Sequence, residues 1–358
     1  MASDEAEPVS GSRYLDLLKG RRPTINDVAR FANVSKKTVS RVINKSPAVK
    51  EETRKEILSI MNEIGYAPDP QARGLAFRRS FLIGMIYDNP NPQYVVNMQQ
   101  GLLAGMRETG FELVVHPCDR SSPTFLADIR DFVERQKLFG VVLTPSVSED
   151  ERVPPVLDAS GCAYIRIASV ALDLPERMII SHDHIGAAFA GRHLAELGHH
   201  KIGFIAGRPT FRSSHERRRG LEEGLAEFGL KLDEKYVAQG AYTFESGVEC
   251  GMKLLSAEDR PTAIFAANDE MATGVLQAAR MTGLRVPDDV SVVGFDNFQI
   301  AERVWPRLTT IHTPTAEIGR LAVTKLLQGR AGQVSDADVG DKGLPSLVIR
   351  DSATPPKA

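Results

Sequence analysis

Lys37, Arg41 and Asn44 stand at i, i+4 and i+7, so on a helix they share one side, with Lys36 and Ser40 flanking them. Arg offers a two-pronged fork to guanine, and Lys reaches the same acceptors in the major groove. The short hydroxyls of Ser35, Thr38 and Ser40 suit phosphate oxygens, which fix a reader's register without specifying sequence. Such chemistry needs its donors on the second of two short helices. An ordinary small helical domain with a solvated charged face is the competing reading of these residues alone.

The stretch TINDVARFANVSKKTVSRVIN supplies the two helices. Ile25, Val28, Ala29 and Ala32 give the first helix one apolar face. Thr24 is its N-cap, and Asp27 three residues on suits the helix N-terminus. Asn33 tolerates the left-handed turn conformation, and Ser35 caps the second helix over an inner face of Val39, Val42 and Ile43. A third helix is expected over about 50–64, with Ile57, Met61 and Ile64 inward, Ile60 alongside and Gly65 as its stop. Asp69 and Pro70 then open a helix of about one and a half turns, weakened by Gly74. It is either a plain linker or a segment that needs a partner surface to stay wound.

Charge follows the same division. Between Lys19 and Arg79 there are 14 Lys+Arg and 6 Asp+Glu, a net +8 on a chain whose total is −2. A basic module on an acidic body points to a polyanion partner for the module alone. The three cysteines lie far apart with no CxxC spacing, and no HExxH, GxSxG or P-loop is present, so no metal, cofactor or enzymatic role is expected. The histidine pairs fit poorly as ligands: His182 and His184 face apart, and His199 and His200 end a helix. MASDEAEPVS has neither a basic nor an apolar leader region, and no apolar run approaches a membrane span, which sets the expectation of a cytoplasmic protein with no membrane partner.

From Ser80 onward short apolar runs alternate with amphipathic helical stretches, as in FLIGMIY, GVVLTP, KIGFIAG, AIFAAND and VSVVGFD. Continuous apolar strands between helices imply parallel sheets buried on both faces. The strands are too many for one compact sheet, so two α/β lobes are expected. Ligands of such sheets bind beyond the carboxyl ends of the strands. Asp88, Thr144, Asn268, Asp269 and Asp296 stand there and become candidates, although Asp269 and Asp296 could instead cap helices. Arg166 joins them as a charged residue in mid-strand that must have a partner.

With those pieces in order, the chain resembles the lactose-repressor (LacI-type) family of bacterial transcription regulators from Thr24 to Ser352. The motifs that carry the resemblance include GYAPDPQARGL, ERRRGLEEGL, AIFAANDEMATGVLQAARMTGLRVPDDVSVVGFDN, RLTTIHTP and VIRDSAT. The resemblance implies an all-α helix-turn-helix DNA-binding domain over 23–67, after a disordered extension over 1–22. It also implies a hinge helix within 68–79 and a two-lobed α/β, periplasmic-binding-protein-like body. One lobe is expected from 80–180 plus about 298–323, the other from 181–297 plus about 324–353. Lys36, Lys37 and Arg41 then occupy base-reading positions, and Leu75 aligns with a leucine that wedges into the minor groove. Thr24, Tyr66 and Arg73 are counted with the DNA-facing residues. Asp88, Arg217, Tyr242, Asp269 and Asp296 match cleft positions, where carboxylates accept from hydroxyls, an Arg donates and an aromatic covers an apolar sugar face. Trp305 either lines the cleft or packs in the core. The implied partners are near-palindromic double-stranded operator DNA and a sugar-like effector, and a homodimer is expected because the chain shows no C-terminal leucine heptads. A solute-binding receptor without DNA function is the alternative that leaves residues 24–75 unexplained.

Overall fold

A computed structural model describes residues 14, 17–18, 21–43, 46, 48–67, 80–329 and 343–357. Asn44, Arg73, Leu75 and the expected hinge lie outside the described residues. The chain divides into two units, residues 1–79 and 80–358.

In the first unit, α1 (Ile25–Phe31), α2 (Lys36–Ile43) and α3 (Glu51–Glu63) enclose a small core of Val28, Ala29, Val39, Val42, Ile57, Ile60 and Ile64. Ile60 takes the buried place expected of Met61, because 57, 60 and 64 form the inward i, i+3, i+7 row. The helix ends follow local chemistry. Asn33 and Gly65 both adopt positive φ, and in each case the next residue's N–H closes back on the helix: Val34 to Ala29 at 2.9 Å and Tyr66 to Met61 at 2.8 Å. Asp27 accepts from the Thr24 N–H at 2.9 Å and the Thr24 hydroxyl at 2.7 Å, and from the Arg21 guanidinium at 2.8 Å. The Arg21 bonds hold its buried carboxyl well below the usual carboxylate range.

Within the stretch expected to be disordered, the described residues Tyr14, Leu18 and Arg21 make contacts with this unit. Leu18 is buried in the core, the Tyr14 ring lies 4.7 Å from that of Phe31, and Arg21 pairs with Asp27. These residues join the unit because its three short helices alone leave apolar surface to cover.

The second unit holds two lobes. In the first lobe β1 (Leu82–Tyr87), β2 (Glu112–Pro117), β3 (Gly140–Leu143), β4 (Ala163–Ala168) and β5 (Met178–Ile180) form a parallel sheet in the order β2-β1-β3-β4-β5. Between the strands run α4 (Pro92–Met106), α5 (Phe125–Gln136) and α6 (Val153–Ala159). One face of the sheet buries Met98 and Leu102, the other Phe125, Ile129 and Leu157.

The second lobe contains α7 (Asp183–Glu196), β6 (Ile202–Ala206), α8 (Arg212–Ala226), β7 (Val237–Gln239), α9 (Phe244–Leu255), β8 (Ala263–Ala266), α10 (Asp269–Met281), β9 (Ser291–Asp296), α11 (Gln299–Arg303) and β10 (Thr309–His312). After α12 (Thr315–Gly329), β11 (Ser346–Val348) returns to this sheet, whose order is β11-β10-β9-β8-β6-β7 with β11 alone antiparallel. The α7–α8 pair approaches closely because a methyl at Gly220 or Gly224 would overlap the α7 backbone.

The second crossing lies elsewhere than the expected boundary near 298. Residues 298–312 belong to the second lobe, because β10 pairs with β9 from Thr309 to His312. Residues 315–329, in contrast, pack on α4 and β4 of the first lobe. Among the described residues the chain therefore crosses at Ser181–His182 and at Thr313–Pro314, where strand pairing ends and helix packing on the other lobe begins.

Candidate functional site

On the first unit, α2 carries no acidic residue, and Lys36, Lys37 and Arg41 are exposed. Among the described residues none of the three takes part in an ion pair, so their donors face solvent. Other members of the expected set are committed to the fold. The Ser35 hydroxyl accepts the Thr38 N–H at 3.1 Å as the α2 cap and meets the Thr38 hydroxyl at 2.9 Å. The Thr24 hydroxyl serves Asp27. Ser40 is half-buried and bonded, and Tyr66 is half-buried against the core. The arrangement is a cationic helix face on a rigid support, with the Ser35 hydroxyl used for capping.

On the second unit, residues from both lobes and from the two crossings line a cleft with about 610 Å³ of free space, its open mouth included. Arg217 stands at its centre, brought in by α8. Its Nε donates to Asp183 at 2.8 Å, one terminal nitrogen donates to the Ala267 carbonyl, and the other reaches Asp296 at 3.5 Å. The guanidinium lies 3.8 Å from the centre of the Phe295 ring. Burial opposes its charge, but the two carboxylates outweigh burial and raise its pKa. Asp296 is pushed up to about 7 by burial, with Arg217 opposing and Asp183 adding to the shift.

Tyr242 covers one wall, edge-on to Phe211, and its hydroxyl meets Ser213 at 3.2 Å. Across the cleft stand Asn91 and Tyr94 of the first lobe. Asn91 caps α4, accepting from the Gln93 and Tyr94 N–H groups, while its Nδ2 is buried with no partner among the described residues. The Thr313 hydroxyl at the second crossing is likewise buried and unpaired. Buried polar atoms without partners call for a physical explanation, and a bound polar ligand would provide one here. Backbone strain gathers at the same place: Tyr242, Asp296 and Asn297 all have positive φ, which costs roughly 1–3 kcal/mol per residue.

Of the expected cleft residues, Arg217, Tyr242, Asn268 and Asp296 line it. The Asn268 side chain is already committed, capping α10 at Met271 and donating to the Tyr242 carbonyl at 3.0 Å. Asp269 does not line the cleft. Fully buried, it accepts from the Phe298 N–H at 2.8 Å and the Thr310 hydroxyl at 2.6 Å, and so ties the strained Asp296–Asn297 turn to β10. Asp269→Ala is therefore expected to destabilise the second lobe by about 1–3 kcal/mol for each donor left unpaired. Urea unfolding checks this, and a variant of wild-type stability would mean that both donors find other partners.

Arg166 is a structural residue rather than a ligand candidate: it bonds the Ser148 carbonyl at 2.7 Å and Glu151 at 2.8 Å, deep in the first lobe. Thr144 is fully buried behind the cleft and donates to the Ile86 carbonyl. Asp88 is half-buried one residue before the lining residue Asn89, its carboxyl raised by burial with Arg120 and Arg208 opposing. Trp305 is 85% exposed and neither lines the cleft nor packs in the core. Sequence reasoning missed Asn91, Asp183 and Thr313. The signal for Asn91 was an Asn before a Pro-initiated helix, a cap that also faces the strand ends.

A family model of bacterial regulatory proteins of the lacI family matches residues 24–69, and one of a periplasmic binding protein-like domain matches residues 192–353. Catabolite control protein A of Priestia megaterium is 32% identical over 325 residues, covering 88% of this chain and 95% of that protein. The chain belongs to the lacI family of bacterial regulatory proteins. As a family member it is a ligand-responsive, DNA-binding regulator of transcription, with α2 in the helix-turn-helix and the cleft in the ligand-responsive body. Among solved structures it is similar to the lac repressor dimer bound to operator and the anti-inducer ONPF, with a TM-score of 0.75 and 29% identity over 93% of this chain and all of that one. It is also similar to the complex of the regulator CelR with cellobiose, with a TM-score of 0.68 and 29% identity over 93% of this chain and all of that one.

Proposed function

We propose that the chain is a cytoplasmic repressor that binds a near-palindromic operator as a homodimer and is switched by a small polyhydroxylated effector, a sugar or sugar derivative, in the cleft. The observation that carries the effector reading is Arg217 between Asp183 and Asp296, facing the unpaired Asn91 Nδ2 and Thr313 hydroxyl. Carboxylates accept from ligand hydroxyls, the amide donates, and Phe211 and Tyr242 offer an apolar wall to a ring face. The cellobiose complex of CelR supports a saccharide in the equivalent fold. The operator-bound lac repressor dimer supports the assembly. Among the described residues no helix is long and apolar enough to cross a membrane.

In mechanism, the effector binds the two lobe arrangements with different affinity, and that difference biases a two-state element coupled to operator affinity. A thermal-shift panel of neutral mono- and disaccharides and sugar acids, followed by operator titration with any hit, tests the reading. A hit that raises the melting point and changes operator affinity is expected. If no saccharide stabilises the protein, the effector class is wrong.

Asp296 gives this reading a pH dependence. Ligand hydroxyls donate to the ionised carboxylate, so binding lowers its pKa from about 7 and releases a proton. Effector affinity should therefore fall as pH drops through 7, by about tenfold between pH 8 and pH 6, and stay level above 8. Calorimetric titrations at three pH values check this, and a flat profile would remove Asp296 from the acceptor role.

A further inference from the structure

We propose that Glu149 is a clasp between the lobes, holding the cleft closed by capping a helix of the opposite lobe. Glu149 sits on the loop after β3, in the first lobe. One of its carboxylate oxygens accepts the N–H of Arg212, the first residue of α8 in the second lobe, at 3.1 Å. This bond joins the lobes away from the crossing strands, between residues 63 apart in the chain.

The loop is built to present that carboxylate. Residues 146–150 are all buried. The Ser146 hydroxyl donates to the Asp88 carbonyl at 3.0 Å, and the Ser148 hydroxyl donates to the Ile167 carbonyl at 2.5 Å. Asp150 is held by Arg152 at 2.7 Å and by Arg120 at 3.6 Å. A backbone fixed at three points leaves Glu149 little choice of direction. On the other side α8 lacks a cap of its own: its N-cap residue, Phe211, has no side chain able to accept from the first turn. The opposite lobe supplies the acceptor, and a carboxylate there also meets the positive end of the helix.

The clasp is releasable. The second carboxylate oxygen of Glu149 is buried with no hydrogen-bond partner among the described residues, so closure leaves half the group unsolvated. Opening the cleft loses the Arg212 bond but wets that oxygen, and the two effects oppose each other. Such a contact biases a lobe equilibrium rather than locking it. It also acts on the ligand site directly, because α8 carries Arg217 into the cleft five residues after Arg212. Glu149 is thus a positioning residue, setting the fraction of molecules in which Arg217 faces Asn91 and Tyr94 across a closed cleft.

Hydrogen exchange on the full-length protein, without operator or effector, tests the clasp. Glu149→Ala should speed exchange in the 207–216 segment by about tenfold, the worth of a lost helix cap, while the β8 and β9 amides stay as slow as in the wild type. Glu149→Gln keeps an acceptor oxygen and should restore most of the protection. Arg212→Pro removes the donor at a helix position where proline is tolerated, and should reproduce the Glu149→Ala pattern in residues 207–211 and 213–216. Unchanged exchange in Glu149→Ala and Arg212→Pro would overturn the proposal. So would acceleration throughout the second lobe in both, which would make the contact a general support of the fold. Because neither DNA nor effector enters the measurement, such a failure would leave the regulator reading standing.

Discussion

Arg217→Ala should abolish the response to effector and lower the stability of the second lobe by about 3–5 kcal/mol, the range for removing one partner of a buried charge cluster. Asp183 and Asp296 are both buried and both lean on this guanidinium, so its loss leaves two carboxylates facing each other out of water. The Ala267 carbonyl loses its donor and the Phe295 ring its cation in the same step. All but the loss at Asp183 fall on the end of β8 or β9, where the cleft floor is made. Thermal melts with and without a stabilising saccharide separate the two effects: the apparent melting point drops, and the ligand no longer raises it. Operator binding in the absence of effector should stay near the wild-type value, because the donors of α2 belong to the other unit. A variant that melts lower yet still responds fully to ligand would confine Arg217 to structure and place the effector elsewhere.

Much of this site was legible in the chain because strand ends are legible. Apolar runs such as AIFA and SVVGF announce their own ends, and polar residues just beyond them fall near a cleft in any open parallel sheet. That logic found Asn268 and Asp296. It could not tell Asp296, which opens into the cleft, from Asp269, which turns back to hold Phe298 and Thr310, because a strand's end does not reveal which way a carboxylate faces. Arg166 shows the same limit from the other side. A charge in mid-strand demanded partners, and the fold met the demand with local groups at Ser148 and Glu151 rather than with a ligand. Thr313 was invisible for a different reason: it matters only because the chain changes lobes there, and the crossing was expected elsewhere. The helix pair was the most legible part, since its period, caps and turn all agree. Even so, of the short hydroxyls assigned to phosphate, those of Ser35 and Thr38 are already bonded to each other.

That last point sharpens what α2 can do, and it leads to the second large effect. With Ser35 and Thr38 bonded to each other, the exposed long donors are the ones expected to read bases. Arg41→Ala should weaken specific operator binding by about 1–3 kcal/mol, roughly 5- to 150-fold, and relax preference at one base pair. Folding should change by less than about 0.5 kcal/mol, because the side chain is exposed and, among the described residues, takes part in no ion pair. A pure phosphate contact, in contrast, would weaken operator and random duplex alike and reduce the salt dependence of binding by about one unit of slope. Fluorescence anisotropy against operator, single-base variants and random duplex, each at several salt concentrations, distinguishes the two roles. If Arg41→Ala weakened every duplex equally and lowered the salt slope, Arg41 would hold the backbone, and the base-reading role would pass to Lys36 and Lys37 on the same exposed face.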